Sequence, residues 1–264
     1  MAEHEQQNLA LSAWEAGSLR LTVFTSVPVE ASKHAWWADL VGQLPEREVT
    51  HPRQASYAEE GPLTLSETVK GKLVLRVQPV RVDWMLVPMD GETEELERIP
   101  TLGSFSEAAR EFTELMHPWL SRTDIPDLNR MAFGAVLVQH VPDRETGYRK
   151  MAEFLKQSVN VDVESSDLTY TINRPRPSGC GIGDMQVNRL SKWLVAARRR
   201  ITAMQTPKEI KPVSIGATYF DLCLDLDINS SAEFQSVIPV DKREALLREF
   251  VHLAEEIASK GDIK

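Results

Sequence analysis

Three carboxylates, Asp221, Asp225 and Asp227, share one parity within residues 218–228, so a strand there presents all of them on one side. Oxygen ligands of this kind hold Mg²⁺ or Ca²⁺. Successive same-side residues of a strand stand ~7 Å apart, however, so a single ion would need ligands from elsewhere. The intervening Phe220, Leu222, Leu224 and Leu226 make the stretch an ordinary antiparallel strand with one wet face, and the aspartates are read as surface. A second chemical candidate is Gly179-Cys180-Gly181-Ile182-Gly183-Asp184. It lacks the Lys-Ser/Thr of a phosphate loop, Gly183 falls one place short of a dinucleotide fingerprint, and Pro175 and Pro177 precede it, so it is expected to be a connection. Cys180 would be a nucleophile only with a basic partner, and the sequence identifies none. The six histidines, His4, His34, His51, His117, His140 and His252, have no metal-binding spacing, and no Gly-x-Ser-x-Gly elbow occurs. No catalytic residue, metal or cofactor is expected.

The remaining candidate is electrostatic. Net charge is −9, yet residues 172–211 carry nine cations against two carboxylates, which leaves +7 there and −16 elsewhere. Arg174, Arg176, Arg189, Lys192, Arg198, Arg199 and Arg200 could neutralise phosphates, and Trp193 could stack on a base. These eight residues form the candidate nucleic-acid site. Three readings compete with it: solvated or subunit-facing cations, an anionic small ligand, and basic and acidic surfaces of one fold meeting each other. A strand would also turn Arg199 away from Arg198 and Arg200.

The elements that must position these residues repeat. Leu246, Leu247, Phe250, Leu253, Ala254, Ile257 and Ala258 mark one helical face, and 138 residues earlier stand Ala108, Ala109, Phe112, Leu115, Met116, Trp119 and Leu120. At the same offset Phe220-Asp221-Leu222 matches Val82-Asp83-Trp84. Phe133, Ala135 and Leu137 follow Leu19, Leu21 and Val23 by 114 residues, and Val141-Pro142 matches Val27-Pro28. The expected fold is α+β, an internal duplication of a β-α-β-β-β-α unit with mainly antiparallel sheets and helices on one side. Residues 1–17 are expected to be a flexible arm, 18–124 the first unit, and 125–264 the second, with a longer basic insertion at about 172–211.

Within the first unit, helix is expected over 30–43, short strands over 47–70, a hairpin turning at Gln78-Pro79, and a helix opened by a Ser104/Glu107 capping box. The second has a helix over 143–159 and a strand through Leu168, Tyr170 and Ile172. Residues 186–205 fit a helix through Val187, Leu190, Leu194, Ala197 and Ile201, but the repeat asks for a strand with Leu190, Leu194 and Ala196 on one face; strand is preferred.

A chain of 264 residues with 42% hydrophobic and 26% charged content can build its own core. Two cysteines make no disulfide framework; the start is acidic, and no apolar run approaches a membrane span. A cytoplasmic protein is expected, without membrane contact. Through Leu224-Asp225-Leu226-Asp227 and the helix over 241–259, the chain resembles an uncharacterised, sporadically distributed bacterial family of duplicated α+β proteins of about this length. That resemblance brings no catalytic residues; it implies a bacterial accessory protein encoded among mobile or phage-defence genes. The expectation is a non-enzymatic scaffold or adaptor with a protein partner or a second copy, the alternative being a nucleic-acid-binding subunit.

Overall fold

The computed structural model describes residues 11–30, 35–89, 98–156, 158–205 and 210–263, and over 200–216 the backbone alone. The first ten residues of the expected arm, residues 31–34 of the first helix, the acidic loop 90–97, and Lys208 and Glu209 lie outside the described residues.

The fold is mixed α/β around one ten-stranded antiparallel sheet. The strands are β1 Glu15–Thr25, β2 Arg47–His51, β3 Ser56–Thr64, β4 Lys70–Gln78, β5 Arg81–Val87, β6 Leu128–Val141, β7 Thr169–Asn173, β8 Arg176–Pro177, β9 Gln186–Gln205 and β10 Ile210–Ser230. Their order across the sheet is β2-β3-β4-β5-β1-β6-β10-β9-β7, with β8 also paired to β9. At the centre β1 and β6 run antiparallel with Arg20 opposite Gly134. Four α-helices are described: α1 Trp36–Val41, α2 Phe105–Leu120, α3 Arg144–Leu155 and α4 Val240–Lys260.

The alternation that marks the strands decides which side of the sheet is covered. Leu21, Trp84, Phe133 and Leu226 all face the helices and are buried. Two aromatic clusters fill this side. Trp37 of α1 stacks on Trp84 at 6.2 Å, and Trp119 of α2 meets Trp84 edge-on at 5.8 Å. In the other half Trp14, Phe154 and Trp193 pack with ring centres 5.2–6.0 Å apart, and the Trp14 indole donates to the Ala258 carbonyl of α4 at 2.8 Å. α3 seats Gly147 against Val141 and Val195, where a side chain would collide with Val195 at 2.8 Å. No described helix lies over the opposite face.

The sequence reading is corrected at five elements. The expected flexible arm through residue 17 is held at its end, with Trp14 and Ala16 buried and β1 beginning at Glu15, because these residues are tied to the start of α2 and to the core under α4. The helix expected over 30–43 is described as Trp36–Val41, closed by Gly42 in the left-handed conformation. β9 is a strand, and Leu190, Leu194 and Ala196 do share a face, but the core side is the other one, with Val187, Arg189, Ser191 and Trp193 buried. α2 begins at Ser104 without a side-chain cap. Its first backbone groups are tied instead to the start of β1, Phe105 N–H donating to Trp14 at 3.0 Å and Leu102 N–H to Ala16 at 2.8 Å, so no capping box is needed. α3 ends at Leu155, four residues before the expected Val159.

Candidate functional site on the open face of the sheet

The structure scatters the candidate nucleic-acid residues. Arg174 forks onto Asp262, Nε to Oδ1 at 2.5 Å and Nη2 to Oδ2 at 2.7 Å. Arg176 donates to Glu256 of α4 at 3.3 Å. Arg189 is 5% exposed with Nη2 3.8 Å from Glu256, and burial pulls its guanidinium below the ordinary value. These three cations lie beneath the end of α4, neutralised by acids that follow them by 67 or more residues. Trp193 is 0% exposed and offers no ring to a base, which corrects its role as a stacking platform. Lys192 and Arg198 lie on the open face, Arg199 is exposed with Nε donating to Thr218 at 3.0 Å, and the Arg200 side chain lies outside the described residues.

The glycine loop is clasped by α4. The Glu249 carboxylate accepts from Gly179 N–H and Ser178 Oγ at 2.7 Å each and from Cys180 Sγ at 3.1 Å. Burial and that carboxylate push the Cys180 thiol up to about 11, the opposite of an activated nucleophile. Cys223 is pushed up to about 11 as well, by burial and then by the charge of Asp221.

The aspartates expected on the wet face have three different environments. Asp221 is 0% exposed. Its Oδ1 meets His140 Nδ1 at 2.5 Å, and its Oδ2 accepts from Arg198 Nε at 2.8 Å with Nη2 at 2.7 Å. Asp221 is therefore buried rather than surface, because an arginine and a histidine from the neighbouring strands cover it. The far ring nitrogen of His140 stands 4.0 Å from Glu15, whose carboxylate accepts from Thr101 at 2.7 Å. Asp227 is reached from β1 by Arg20 Nη2 at 3.5 Å. Asp225 is exposed and has no hydrogen bond or ion pair among the described residues; partial desolvation raises its carboxyl above the ordinary value, opposed by the charges of Lys192 and Arg20.

Asp225 and Asp227 belong to a groove of about 430 Å³ at the middle of the open face. Its lining runs from Met85 and Val87 on β5 to Thr171 on β7. On a flat sheet those strands would stand ~24 Å apart, five spacings of ~4.8 Å, so the sheet curls around the groove. Gly134 forms its floor: a Cβ there would come within 3.1–3.4 Å of the Arg20 guanidinium, so the missing side chain lets Arg20 lie flat across β6 toward Asp227. Beside the groove a fixed amide ladder crosses the sheet, Asn173 donating to Asn188 and Asn188 to Asn229, each at 3.0 Å, with Arg130 donating to Asn229 also at 3.0 Å.

Among the described residues no group of three or more His, Cys, Asp or Glu could hold a metal ion. No described helix is long and apolar enough to cross a membrane. Sequence reasoning missed Arg20, Gly134 and His140 as partners of the aspartates; the parity of Arg20 within β1 was the available signal, since it faces away from Leu19 and Leu21. No protein-family model matches the sequence, and no curated protein matches it.

Proposed function

We propose that this chain is a non-enzymatic interaction subunit, a cytoplasmic scaffold or adaptor of a bacterial assembly, built on a duplicated α+β body whose halves read β1-α1-β2-β3-β4-β5-α2 and β6-α3-β7-β8-β9-β10-α4, each with one strand more than the expected β-α-β-β-β-α unit. The observation that carries the proposal is the β9–β10 ribbon. β10 pairs with β6 only from Phe220 to Asn229, whereas its pairing with β9 continues outward from Tyr219/Arg198 to Ile210/Gln205. The eight residues of β9 beyond the sheet make a two-stranded ribbon ~26 Å long, whose outer edges pair with no other strand among the described residues. Such a ribbon is marginal alone and is stabilised by docking on another chain. Two register shifts, at Pro212/Ser214 and Ile215/Thr218, interrupt it as a template for indiscriminate strand addition.

The duplication is supported by the strand order, which reads β1-β5-β4-β3 outward on one side of the centre and β6-β10-β9-β7 on the other. The strand register asks for one adjustment. Leu21 pairs with Trp84, and Ala135, 114 residues after Leu21, pairs with Leu226; 226 less 84 gives an offset of 142 in the sheet against 138 in the helices. The link to mobile-element or phage defence that the resemblance implies belongs to the same proposal. A nucleic-acid duplex is the second reading, favoured by the ribbon alone: a major groove admits a two-stranded ribbon, and Arg198, Arg199 and Arg200 stand at its base.

The test replaces residues 202–214 by Asn-Gly, closing a tight turn between the paired Ile201 and Ile215. Tagged wild-type and shortened proteins are isolated from the host, with and without nuclease. A protein partner that survives nuclease and is lost with the ribbon supports the adaptor reading. Partners equally retained by the shortened protein overturn it, and nucleic acid recovered only with the intact ribbon establishes the second reading.

A further inference from the structure

We infer that the outer edge of β7 is a self-association site, on which a second copy of this chain lays its own β7 antiparallel about Thr171. β7 is the last strand at its end of the sheet and pairs only with β9. In the other half the matching place in the strand order belongs to β3, and β3 is covered on its outer side by β2. Among the described residues no strand covers β7.

Which backbone groups face outward follows from the register. Arg174 N–H donates to the Arg189 carbonyl at 3.3 Å and Ser178 N–H to that of Met185 at 2.9 Å, so the even-numbered residues along β7 and β8 turn their backbone toward β9. The odd-numbered ones, Thr169, Thr171, Asn173, Pro175 and Pro177, turn theirs away from it. Proline has no N–H, so the β8 end of the edge offers no donor and is guarded against stray strand addition. The β7 end has no such guard. Thr169, Thr171 and Asn173 are exposed and uncharged, and Asn173 folds its side chain back to accept from Arg189 N–H at 2.9 Å, clear of the edge. At the far edge of the sheet, by contrast, β2 carries Arg47, Glu48 and His51 within 5 residues, and charge of that kind discourages pairing.

The open stretch is complementary to itself. With Thr171 opposite Thr171 of the second copy, Tyr170 meets Ile172, Thr169 meets Asn173, and every outward N–H finds a carbonyl. Thr–Thr and aromatic–β-branched pairs are favourable cross-strand neighbours. Tyr170 and Ile172 lie on the helix side with Trp193 and Ser191 of β9 and are only half-buried, so pairing continues the core across the twofold. A shift of two residues in one sense sets Pro175 opposite Thr169 and loses a donor; in the other it sets Asn173 opposite Asp167, whose φ of 61° ends the extended run. Flanking charge fixes the direction. Glu164 and Asp167, both exposed, precede β7, and Arg176, with 39% side-chain exposure, follows it, so antiparallel pairing brings the acids of one copy beside the arginine of the other. The twofold also points the two β9–β10 ribbons in opposite directions, so this contact is independent of the adaptor reading.

Sedimentation velocity of the full chain should show a monomer–dimer equilibrium with a dissociation constant of ~10 µM, the strength of a small interface. Thr171→Pro removes only an outward N–H, and Thr171→Lys sets two like charges on the twofold; each should weaken the dimer about tenfold or more while melting as wild type does. Thr171→Cys should cross-link to itself under mild oxidation above the wild-type background, since paired Cα atoms stand ~5.5 Å apart. Thr169→Cys, ~13 Å along the strand from its own counterpart, should not. The shortened-ribbon protein should dimerise unchanged, which separates failure here from failure of the adaptor reading. A wild type that stays monomeric to about 300 µM, well above that dissociation constant, would overturn the inference. So would a dimer that ignores both Thr171 substitutions, one that is lost with the ribbon instead, or equal cross-linking from position 169.

Discussion

Asp221→Asn is the substitution that most directly tests how the open face is held. It removes the charge of a carboxylate that is 0% exposed and keeps its shape. Arg198, whose only acceptor among the described residues is this carboxylate, is left facing a neutral amide, and His140 loses the anion at Nδ1. Breaking one partner out of a buried pair costs ~3–5 kcal/mol. Arg198 retains 29% side-chain exposure and can recover some hydration, so the lower end applies, ~3 kcal/mol. With ~2.1 cal/mol/K of unfolding entropy per residue, the 264-residue chain has ~0.55 kcal/mol/K, and the expected fall in Tm is ~5 °C. Urea unfolding of wild type, Asp221→Asn, Arg198→Gln and the double variant closes a thermodynamic cycle, with an expected coupling of at least ~1.5 kcal/mol. Asp225→Asn, two same-side positions along β10, should change stability by less than ~0.5 kcal/mol. If Asp221→Asn costs under ~1 kcal/mol, or the cycle is additive within ~0.5 kcal/mol, the cluster is not the fixed unit its distances describe.

Two pH dependences follow from other carboxylates. The Arg174 fork lowers Asp262 from 3.8 to about 2, so its contribution, ~2 kcal/mol, is present above the unfolded value near pH 4 and lost as pH falls through 2. Asp262→Asn should be less stable than wild type by that amount at pH 7 and equal to it near pH 2, measured by chemical unfolding across the range. Glu59 runs the other way: burial, then the charge of Glu48, raises it from 4.5 to about 7, and its Oε2 has no hydrogen-bond donor. The folded state is penalised as pH rises from 4.5 through 7, so Glu59→Gln should gain ~1–2 kcal/mol at pH 8, after discounting for partial exposure, and nothing at pH 4.

What was legible in the sequence is what alternation and helical spacing encode. The apolar parity of β10 and the buried stripe of α4, from Leu246 to Ala258, carry nothing but core residues on their inner sides, so pattern and burial coincide. β9 was ambiguous because its core side includes Arg189 and Ser191, while its open side carries Leu190 and Leu194. The same inversion made Trp193 look like an exposed ring among cations, when it packs against Trp14 and Phe154. The fate of Arg174 and Arg176 could not be read locally: their acids, Asp262 and Glu256, come 88 and 80 residues later and meet them only when α4 lies across the end of the sheet. The groove was hidden for a similar reason, since Gly134 acquires meaning only once β1 brings Arg20 beside it.

The proposed duplication gives the groove a physical origin. At the sheet offset of 142, Asp225 is the counterpart of Asp83, and both stand on the open face. Asp83 is held by Thr22, its cross-strand neighbour, and by Arg81, two residues before it on the same strand. The counterparts of those partners are Val136, at the β1-to-β6 offset of 114, and Cys223, at 142. Neither supplies what was lost: Val136 has no donor and is 38% exposed, and the Cys223 thiol bonds to the Asp221 carbonyl at 3.8 Å. One half therefore keeps a satisfied, buried carboxylate that ties β5 to β1, and the other keeps the carboxylate while losing both donors. Asp225 is exposed, and water takes the place of the donors that Asp83 finds within the chain.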